Sequence, residues 1–117
     1  MKILSKLLIA AAISTTMLTG AIASNEAMIE KGKDIFMTKT KGNCLACHAA
    51  NGVEIDGPGM LGPKLQGLQY WPKEALYEKV YDPYVTNPIS VMPPFGKNGW
   101  LNDEEINAVV AFLKTIK

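Results

Sequence analysis

The sequence predicts a small all-α domain, and three observations support this class. Three segments carry apolar residues at helical spacing, and the stretches between them are rich in glycine and proline. No segment shows the alternation of apolar and polar residues that is typical of a half-buried strand. With 117 residues and no internal repeat, the chain has the length of one domain.

The first 23 residues have the pattern of a secretory signal peptide. Two lysines precede an apolar run at 7–13, and residues 21–23 read Ala-Ile-Ala, which fits an A-x-A cleavage site. We therefore expect a signal peptide over 1–23 that is cleaved from a single domain over 24–117. An uncleaved membrane anchor is the alternative, although the apolar run is short and is followed by hydroxyl residues.

The first helix of the mature domain is predicted to begin at Ser24, a residue type that caps helix N-termini. Gly32 on its packing face indicates a close crossing with the last helix near Phe112, where a side chain at position 32 would clash. The stretches 49–68 and 84–100 are predicted to be ordered loops. The packing face of the first helix comprises Met28, Gly32, Ile35 and Phe36.

The other two helices have clear boundaries in the sequence. The second is predicted to begin at Pro72, a favoured first-turn residue, and to end before Pro83. Asn102 and Glu105 predict a capping box at the start of the last helix. The apolar face of the last helix comprises Ile106, Val109, Val110 and Leu113.

Residues 44–48 read Cys-Leu-Ala-Cys-His, the C-x-x-C-H spacing that attaches a c-type haem. The chain has only two cysteines and one histidine, and all three lie in this run. A redox-active cysteine pair would need a βαβ setting, a zinc site would need further ligands, and a plain disulfide would leave the histidine unexplained. The motif therefore predicts one covalent haem c, with Cys44 and Cys47 as attachment sites and His48 as the proximal iron ligand.

Haem attachment and the export signal support each other, because attachment requires reduced cysteines that have been delivered across a membrane. Together they predict a location in the bacterial periplasm. In a domain this small, a covalently held haem would also supply much of the apolar volume that the core needs.

Charge and composition exclude other classes of function. Twelve Lys and Arg residues against 11 Asp and Glu give a formal net charge of +1, without the basic surface that nucleic-acid binding requires. Residues 57–62 match G-x-G-x-x-G, but the surrounding sequence offers no βαβ unit, which excludes a dinucleotide site. We therefore expect neither nucleic acid nor nucleotide as a partner.

The sixth ligand of the iron decides what the haem does. With histidine and cysteine already used, the candidates are a methionine, a lysine or an open position. Met28 is predicted to pack in the core, and Met37 lies too close to the motif to circle the ring. Met92, in a proline-rich loop between two helices, is favoured, while Met60, a lysine and an open position remain alternatives. A methionine ligand would indicate electron transfer instead of substrate binding.

Further residues are predicted to border the haem. A ligating histidine donates its second ring N–H to a fixed acceptor, and a carbonyl near Pro63 is a candidate. Trp71 and Trp100 are predicted to be pocket or core aromatics and not electron relays. A set of lysines near the haem forms either a solvated rim or a docking ring for an acidic partner: Lys39, Lys41, Lys64 and Lys97.

The whole mature chain resembles the class I cytochromes c, and within them it is similar to SoxX, the family of mono-haem subunits of SoxAX complexes in bacterial sulfur oxidation. The Met-Pro-Pro-Phe-Gly run at 92–96, with its spacing from the haem motif, is the part that resembles SoxX most closely. The resembling stretches are 42–48, 62–65, 87–96 and 101–113.

This resemblance implies a class I cytochrome c fold and a set of site residues. Cys44 and Cys47 would carry the thioether bonds, His48 and Met92 would be the axial ligands, and the carbonyl of Pro63 would receive the proximal histidine. No residue would be catalytic. The resemblance also implies a heterodimer with a SoxA-like haem subunit that performs the thiosulfate chemistry, with a SoxYZ-like carrier acting indirectly and a downstream cytochrome or oxidase accepting the electrons.

Three interpretations of function remain at this point. The first is a non-catalytic, electron-transferring subunit of a thiosulfate-transferring complex, without a stable membrane anchor. The second is a free electron-shuttle cytochrome with no permanent partner. The third is a gas-sensing or peroxidatic haem from which Met92 is displaced. Apolar residues beside Met92, such as Val91 and Phe95, favour a fixed partner and hence the subunit.

Overall fold

The computed structural model describes residues 14–117 and shows three helices. They are α1 (Ser14–Met37), α2 (Lys73–Tyr81) and α3 (Asp103–Leu113). Single 3₁₀ turns lie at Cys44–Ala46, Leu68–Tyr70 and Pro83–Val85. The described part of the chain contains no strand, only one isolated parallel bridge between Ala50 and Leu65. The predicted all-α class is confirmed.

The N-terminal helix begins earlier than predicted. We expected it to start at Ser24, whereas α1 begins at Ser14 and runs on without a break. Residues 14–23 contain no proline, so nothing in their sequence stops the helix on the N-terminal side of Ser24. The predicted cleavage position after Ala23 lies within α1, and residues 1–13 lie outside the described residues. The signal peptide stays a prediction.

The helix crossing predicted at Gly32 is confirmed. A Cβ atom at this position would lie 1.9 Å from the backbone oxygen of Ala108 and 3.0 Å from Cβ of Phe112 on α3. The close approach lets Phe36 of α1 pack edge-on against Phe112, with ring centroids 5.3 Å apart. Glycine is therefore required for α1 and α3 to share one core.

The helix α3 has the predicted cap and the predicted buried face. The Asn102 side chain accepts a bond from the Glu105 backbone N–H, and the Glu105 carboxylate accepts one from the Asn102 N–H, which completes the capping box. The four residues of the predicted apolar face are all buried: Ile106, Val109, Val110 and Leu113.

The helix α2 packs against α3 and leads into the loop that carries Met92. It begins at Lys73, one residue after the predicted start, with Pro72 in the N-cap position. Two of its side chains, Leu76 and Val80, join the core. It ends at Tyr81, where buried Asp82 starts the next 3₁₀ turn by accepting a bond from the Tyr84 N–H.

In the described residues, no helix has both the length and the apolar character needed to cross a membrane.

Candidate haem site

One large cavity of about 650 Å³ opens between the C-x-x-C-H segment, the loop over 49–68 that follows it (the proximal loop) and the loop before α3. Its size falls within the range of about 300–1,000 Å³ that is usual for small-molecule and cofactor sites. Core side chains form its floor: Phe36, Leu68, Leu76, Val80, Leu101, Val109 and Leu113. The predicted cofactor residues all line it: Cys44, Cys47, His48, Pro63 and Met92.

The C-x-x-C-H segment forms a tight turn on one wall of this cavity. Asn43 has a left-handed backbone (φ 51°), which asparagine tolerates better than most residues, and it redirects the chain after α1. The carbonyl of Cys44 then accepts bonds from the N–H groups of Cys47 (3.1 Å) and His48 (2.9 Å). Burial raises the pKa of the Cys44 thiol to about 12. The turn thus presents both sulfurs and the imidazole to the same cavity.

The proximal loop fixes the His48 ring. The Nδ1 atom of His48 lies 2.7 Å from the carbonyl oxygen of Pro63. Because a carbonyl only accepts, Nδ1 must carry the proton, which leaves Nε2 as the unprotonated nitrogen available to a metal. This is the contact that the resemblance implied for Pro63.

Glycines bring the proximal loop close enough for this contact. A Cβ on Gly62 would lie 2.5 Å from Cε1 of the His48 ring, and a Cβ on Gly59 would lie 1.6 Å from the backbone oxygen of Ala46. Backbone bonds join the loop to the turn, from Gly59 N–H to Leu45 O (2.9 Å) and from Gly62 N–H to the Cys47 carbonyl (2.8 Å). The glycines therefore serve close backbone approach, and not a dinucleotide.

Met92 is the methionine of residues 25–117 that lines the cavity. It is half-buried, and its backbone N–H donates to the Ser90 hydroxyl at 3.1 Å, which shapes the loop on its N-terminal side. Met60 is 92% exposed and is not among the residues that line the cavity, while Met28 and Met37 pack against the core. The structure thus brings Met92 into the cavity that His48 also lines, and leaves the other three methionines outside it.

The aromatic and basic residues predicted to border the haem divide into two groups. Trp71 and Lys64 line the cavity. Trp100 instead packs edge-on against Phe95, with ring centroids 5.8 Å apart. Three lysines lie off the cavity lining: exposed Lys39, Lys41 in an ion pair with Glu105, and Lys97 in an ion pair with Asp82.

Sequence reasoning missed several cavity residues. Lys79, Pro83 and Asn87 all line the cavity, because α2 and the turn after it run along its side. Lys114 supports the same wall from α3, since its ammonium donates to the backbone carbonyls of Gln69 (2.7 Å) and Trp71. No local pattern marks these residues, since each depends on how α2 and α3 pack.

The cavity fits a covalent haem. Its lining contains the two cysteines of the C-x-x-C-H run, an imidazole with a fixed tautomer and the side chain of Met92. Its floor is apolar. Cys44 and Cys47 would hold the porphyrin, while His48 and Met92 would be the candidate iron ligands. When bound, haem c supplies one-electron chemistry at its iron. The polypeptide orients the imidazole through Pro63 and excludes water with its core side chains.

These are the features that a c-type cytochrome requires of its polypeptide, and the comparison with known families agrees. Residues 27–113 match the family model described as cytochrome c oxidase, cbb3-type, subunit III. The chain belongs to this family and carries a cytochrome c domain, which implies covalent haem c and a role in electron transfer. Such a domain indicates an extracytoplasmic protein.

A similar protein is described as an uncharacterized lipoprotein of Aquifex aeolicus (strain VF5). The two sequences are 42% identical over 77 residues, which cover 62% of this chain. The same match covers 36% of the Aquifex protein, so the chain corresponds to about a third of that relative's length.

Proposed function

We propose that this protein is a periplasmic mono-haem cytochrome c that acts as the SoxX-like, electron-accepting subunit of a SoxAX-type complex. One C-x-x-C-H segment and the absence of any other cysteine support a single haem. His48 and Met92 are the proposed axial ligands, because they line the same cavity and the Nδ1 atom of His48 is already bonded to Pro63. A filled coordination sphere suits electron transfer.

The observation that carries the subunit proposal is an apolar lip around the cavity. Three of its residues line the cavity and have a large exposed fraction in the polypeptide alone: Leu61 (69%), Trp71 (45%) and Val91 (70%). Beside them, Met60 and Ile89 are about nine-tenths exposed. Large exposed apolar side chains grouped around one opening are typical of a protein interface. A permanent partner seated on this lip would cover them and hold its own redox centre near the cavity.

In the proposed complex, a SoxA-like haem subunit performs the chemistry. It would conjugate thiosulfate to a cysteine of a SoxYZ-like carrier, and the two electrons released would leave one at a time through the present chain to a downstream cytochrome or oxidase. Both cysteines of the chain lie in the haem segment, so it has no thiol of its own to accept sulfur. Its role would be to accept and pass on electrons.

The comparisons support a location outside the cytoplasm, and the assembly itself is the proposed part. The family description names a subunit of an oxidase, and the Aquifex relative is described as a lipoprotein, a class of protein held at a membrane surface. The family description makes an oxidase the alternative partner, which the experiment below separates from a SoxA-like subunit.

A free electron shuttle is the second candidate, and two lysines favour it. Lys64 and Lys79 line the cavity, and within the described part of the chain no carboxylate side chain joins them there. Lysines around a redox centre steer encounters with acidic partners and allow rapid release. A shuttle would therefore bind through Lys64 and Lys79 and would be sensitive to salt, whereas a subunit would bind through the apolar lip.

The test is co-production of the chain, with its haem attached, together with a SoxA-like subunit from the same genome. We expect the two haem proteins to co-elute in size-exclusion chromatography in a ratio of one to one, at low and at high salt. Val91→Lys should abolish co-elution, because it places a charge in the apolar lip. Glu30→Lys, on the exposed surface of α1, is the matched control and should leave the complex intact.

Three outcomes distinguish the candidates. Stable co-elution that Val91→Lys abolishes supports the subunit. A monomer that reduces or oxidises a partner only at low salt supports the shuttle and refutes the SoxAX proposal. Co-purification with the terminal oxidase of the same organism in place of the SoxA-like subunit would also refute it, and would assign the lip to an oxidase complex.

A further inference from the structure

The two ends of the loop that carries Met92 meet at the C-terminal end of α2. The chain leaves α2 at Tyr81 and returns to it fifteen residues later, since the Tyr81 carbonyl accepts bonds from the N–H groups of Gly96 (3.2 Å) and Lys97 (3.1 Å). The loop over 82–97 therefore begins and ends at the C-terminal end of α2. Such a closed loop opens by breaking the few contacts at its neck.

Asp82 provides the side-chain contacts at this neck. It is 8% exposed, and its two carboxylate oxygens bond to opposite ends of the loop. Oδ1 accepts a bond from the Tyr84 N–H (3.1 Å) at the start, and Oδ2 lies 3.3 Å from the Lys97 ammonium at the end. A carboxylate is costly to bury unless it is paired, and in the closed neck Asp82 is paired with Lys97, a contact that an open neck would lose.

Tight packing at the neck reinforces this closure. A Cβ on Gly96 would lie 2.0 Å from Cδ2 of the Tyr81 ring, so the returning chain rests directly on this ring. Between the two ends, the loop contributes Pro83, Met92 and Phe95 to the cavity lining. Opening at the neck would therefore move Met92 and one side of the cavity together.

We propose that Asp82 is a positioning residue that keeps the Met92 loop closed and thereby controls how readily the iron accepts an outside ligand. The inference rests on the proposed role of Met92 as axial ligand. An outside ligand binds only after Met92 has moved away, so its apparent affinity equals its intrinsic affinity multiplied by the open fraction. Contacts that stabilise the closed loop lower that fraction. Asp82 acts through Met92 and does not touch the iron.

The experiment measures the affinity of the haem-loaded protein for imidazole by absorbance titration. Asp82→Asn keeps a side-chain acceptor for Tyr84 and removes the charge that faces Lys97, while Lys97→Gln removes the other half of the ion pair. We expect each to raise the affinity about threefold, since Lys97 is largely exposed and an ion pair with an exposed partner contributes little. Asp82→Ala also leaves a backbone N–H unpaired, and we expect about a tenfold increase.

Controls test whether the effect passes through Met92. Glu104→Gln breaks the Lys31–Glu104 ion pair (2.9 Å) between α1 and α3 and should leave the imidazole affinity unchanged. Met92→Ala should bind imidazole tightly, and adding Asp82→Ala to it should cause no further increase. A readout without added ligand is hydrogen exchange at the Gly96 and Lys97 amides, which should accelerate in Asp82→Ala.

The results separate this inference from the proposed function. Unchanged imidazole affinity in both Asp82→Ala and Lys97→Gln overturns the inference while leaving the SoxAX assignment in place. An equal increase on the Met92→Ala background also overturns it, because Asp82 would then act on the haem pocket in general. If neither Asp82 variant retains haem, Lys97→Gln decides alone, and an unchanged affinity there overturns the inference.

Discussion

At the scale of single residues, the orientation of the proximal imidazole depends on a neighbouring glycine. Gly62 leaves room for the His48 ring, since a Cβ there would lie 2.5 Å from Cε1. We expect Gly62→Ala to displace the ring and to lengthen the 2.7 Å contact with Pro63. A displaced ligand should shift the reduction potential and the absorption bands of the haem-loaded protein, both of which report on the axial ligands.

Gly52→Ala is the matched control for this substitution. Gly52 has a φ of 74°, so alanine strains the backbone there, but no atom lies within 4 Å of the added Cβ. This variant should lose about 1 kcal/mol of stability and keep the potential and spectrum of the parent. A potential that stays unchanged in Gly62→Ala would show that the loop accommodates the added methyl group without displacing the ring.

Another residue-scale prediction concerns acid stability. The hydrogen bond from Lys41, and after it the bond from the Asn102 N–H, hold the pKa of the Glu105 carboxyl below its ordinary value. A carboxyl with a lowered pKa in the folded state stabilises the fold above its unfolded pKa of about 4.3, and loses this contribution as the pH falls through the folded pKa. Glu105→Gln should therefore be less stable than the parent at neutral pH.

The pH dependence of this difference is the decisive measurement. Denaturant unfolding at a series of pH values should show a gap between the parent and Glu105→Gln that is largest near neutrality. The gap should narrow below about pH 4, where the glutamate itself becomes protonated. A gap of constant size down to pH 2 would mean that the Glu105 charge contributes nothing and that only its shape matters in the capping box.

Residue roles differ in how far the sequence reveals them. The contact of His48 with a carbonyl near Pro63 was predictable, because a ligating histidine needs a fixed acceptor and the loop follows the motif closely. No comparable pattern in the sequence marks the roles of Asp82 and Lys79. Their contacts depend on where α2 ends and on how the loop after it returns, and both are set by packing and not by local sequence.

At the scale of elements, the crossing of α1 and α3 determines the core. Gly32→Ala would place a methyl group 1.9 Å from the backbone oxygen of Ala108, where no rotamer change relieves the overlap. The helices must separate, which loosens the edge-on packing of Phe36 on Phe112. We expect a loss of about 1–3 kcal/mol in the free energy of unfolding, as is usual for overpacked cores.

Lys33→Ala, one residue further along α1 on its exposed side, is the control for this crossing. It leaves the interface untouched and changes stability by no more than about 0.5 kcal/mol. Urea unfolding followed by circular dichroism compares the two variants. Equal stability of Gly32→Ala and the parent would show that α1 can shift on α3 without cost.

Predictability at this scale follows the strength of local signals. The start of α3 was clear because a capping box is a specific pattern, and its apolar face follows from period 3.6. The predicted start of α1 was wrong, because a serine such as Ser24 can cap a helix but does not end one inside a proline-free segment. A weak signal was interpreted as a boundary.

At the scale of the whole molecule, the three helices supply one wall and the floor of the cavity, and the loops supply the rest. Residues 49–68 and 82–100 have little regular structure of their own, and backbone bonds attach them to the haem segment and to α2. Only the C-x-x-C-H motif predicted that loops would surround the cavity, since a covalent haem requires loops around it. Of the apolar lip, only Val91 was predicted from the sequence, because the exposure of Leu61, Trp71 and the others depends on the final packing.

This architecture predicts that the fold depends on the attached haem. An attached haem would cover the apolar floor of the cavity, and burial of apolar surface is the main stabilising contribution in so small a domain. The double variant Cys44→Ala/Cys47→Ala, which cannot attach haem covalently, should therefore show reduced helix content and no cooperative unfolding by circular dichroism. The single variant Cys44→Ala keeps one thioether bond, so it should retain the parent's helix content and its cooperative unfolding. A double variant that unfolds cooperatively with the parent's helix content would mean that the loops collapse into the cavity, and that the polypeptide alone determines the fold.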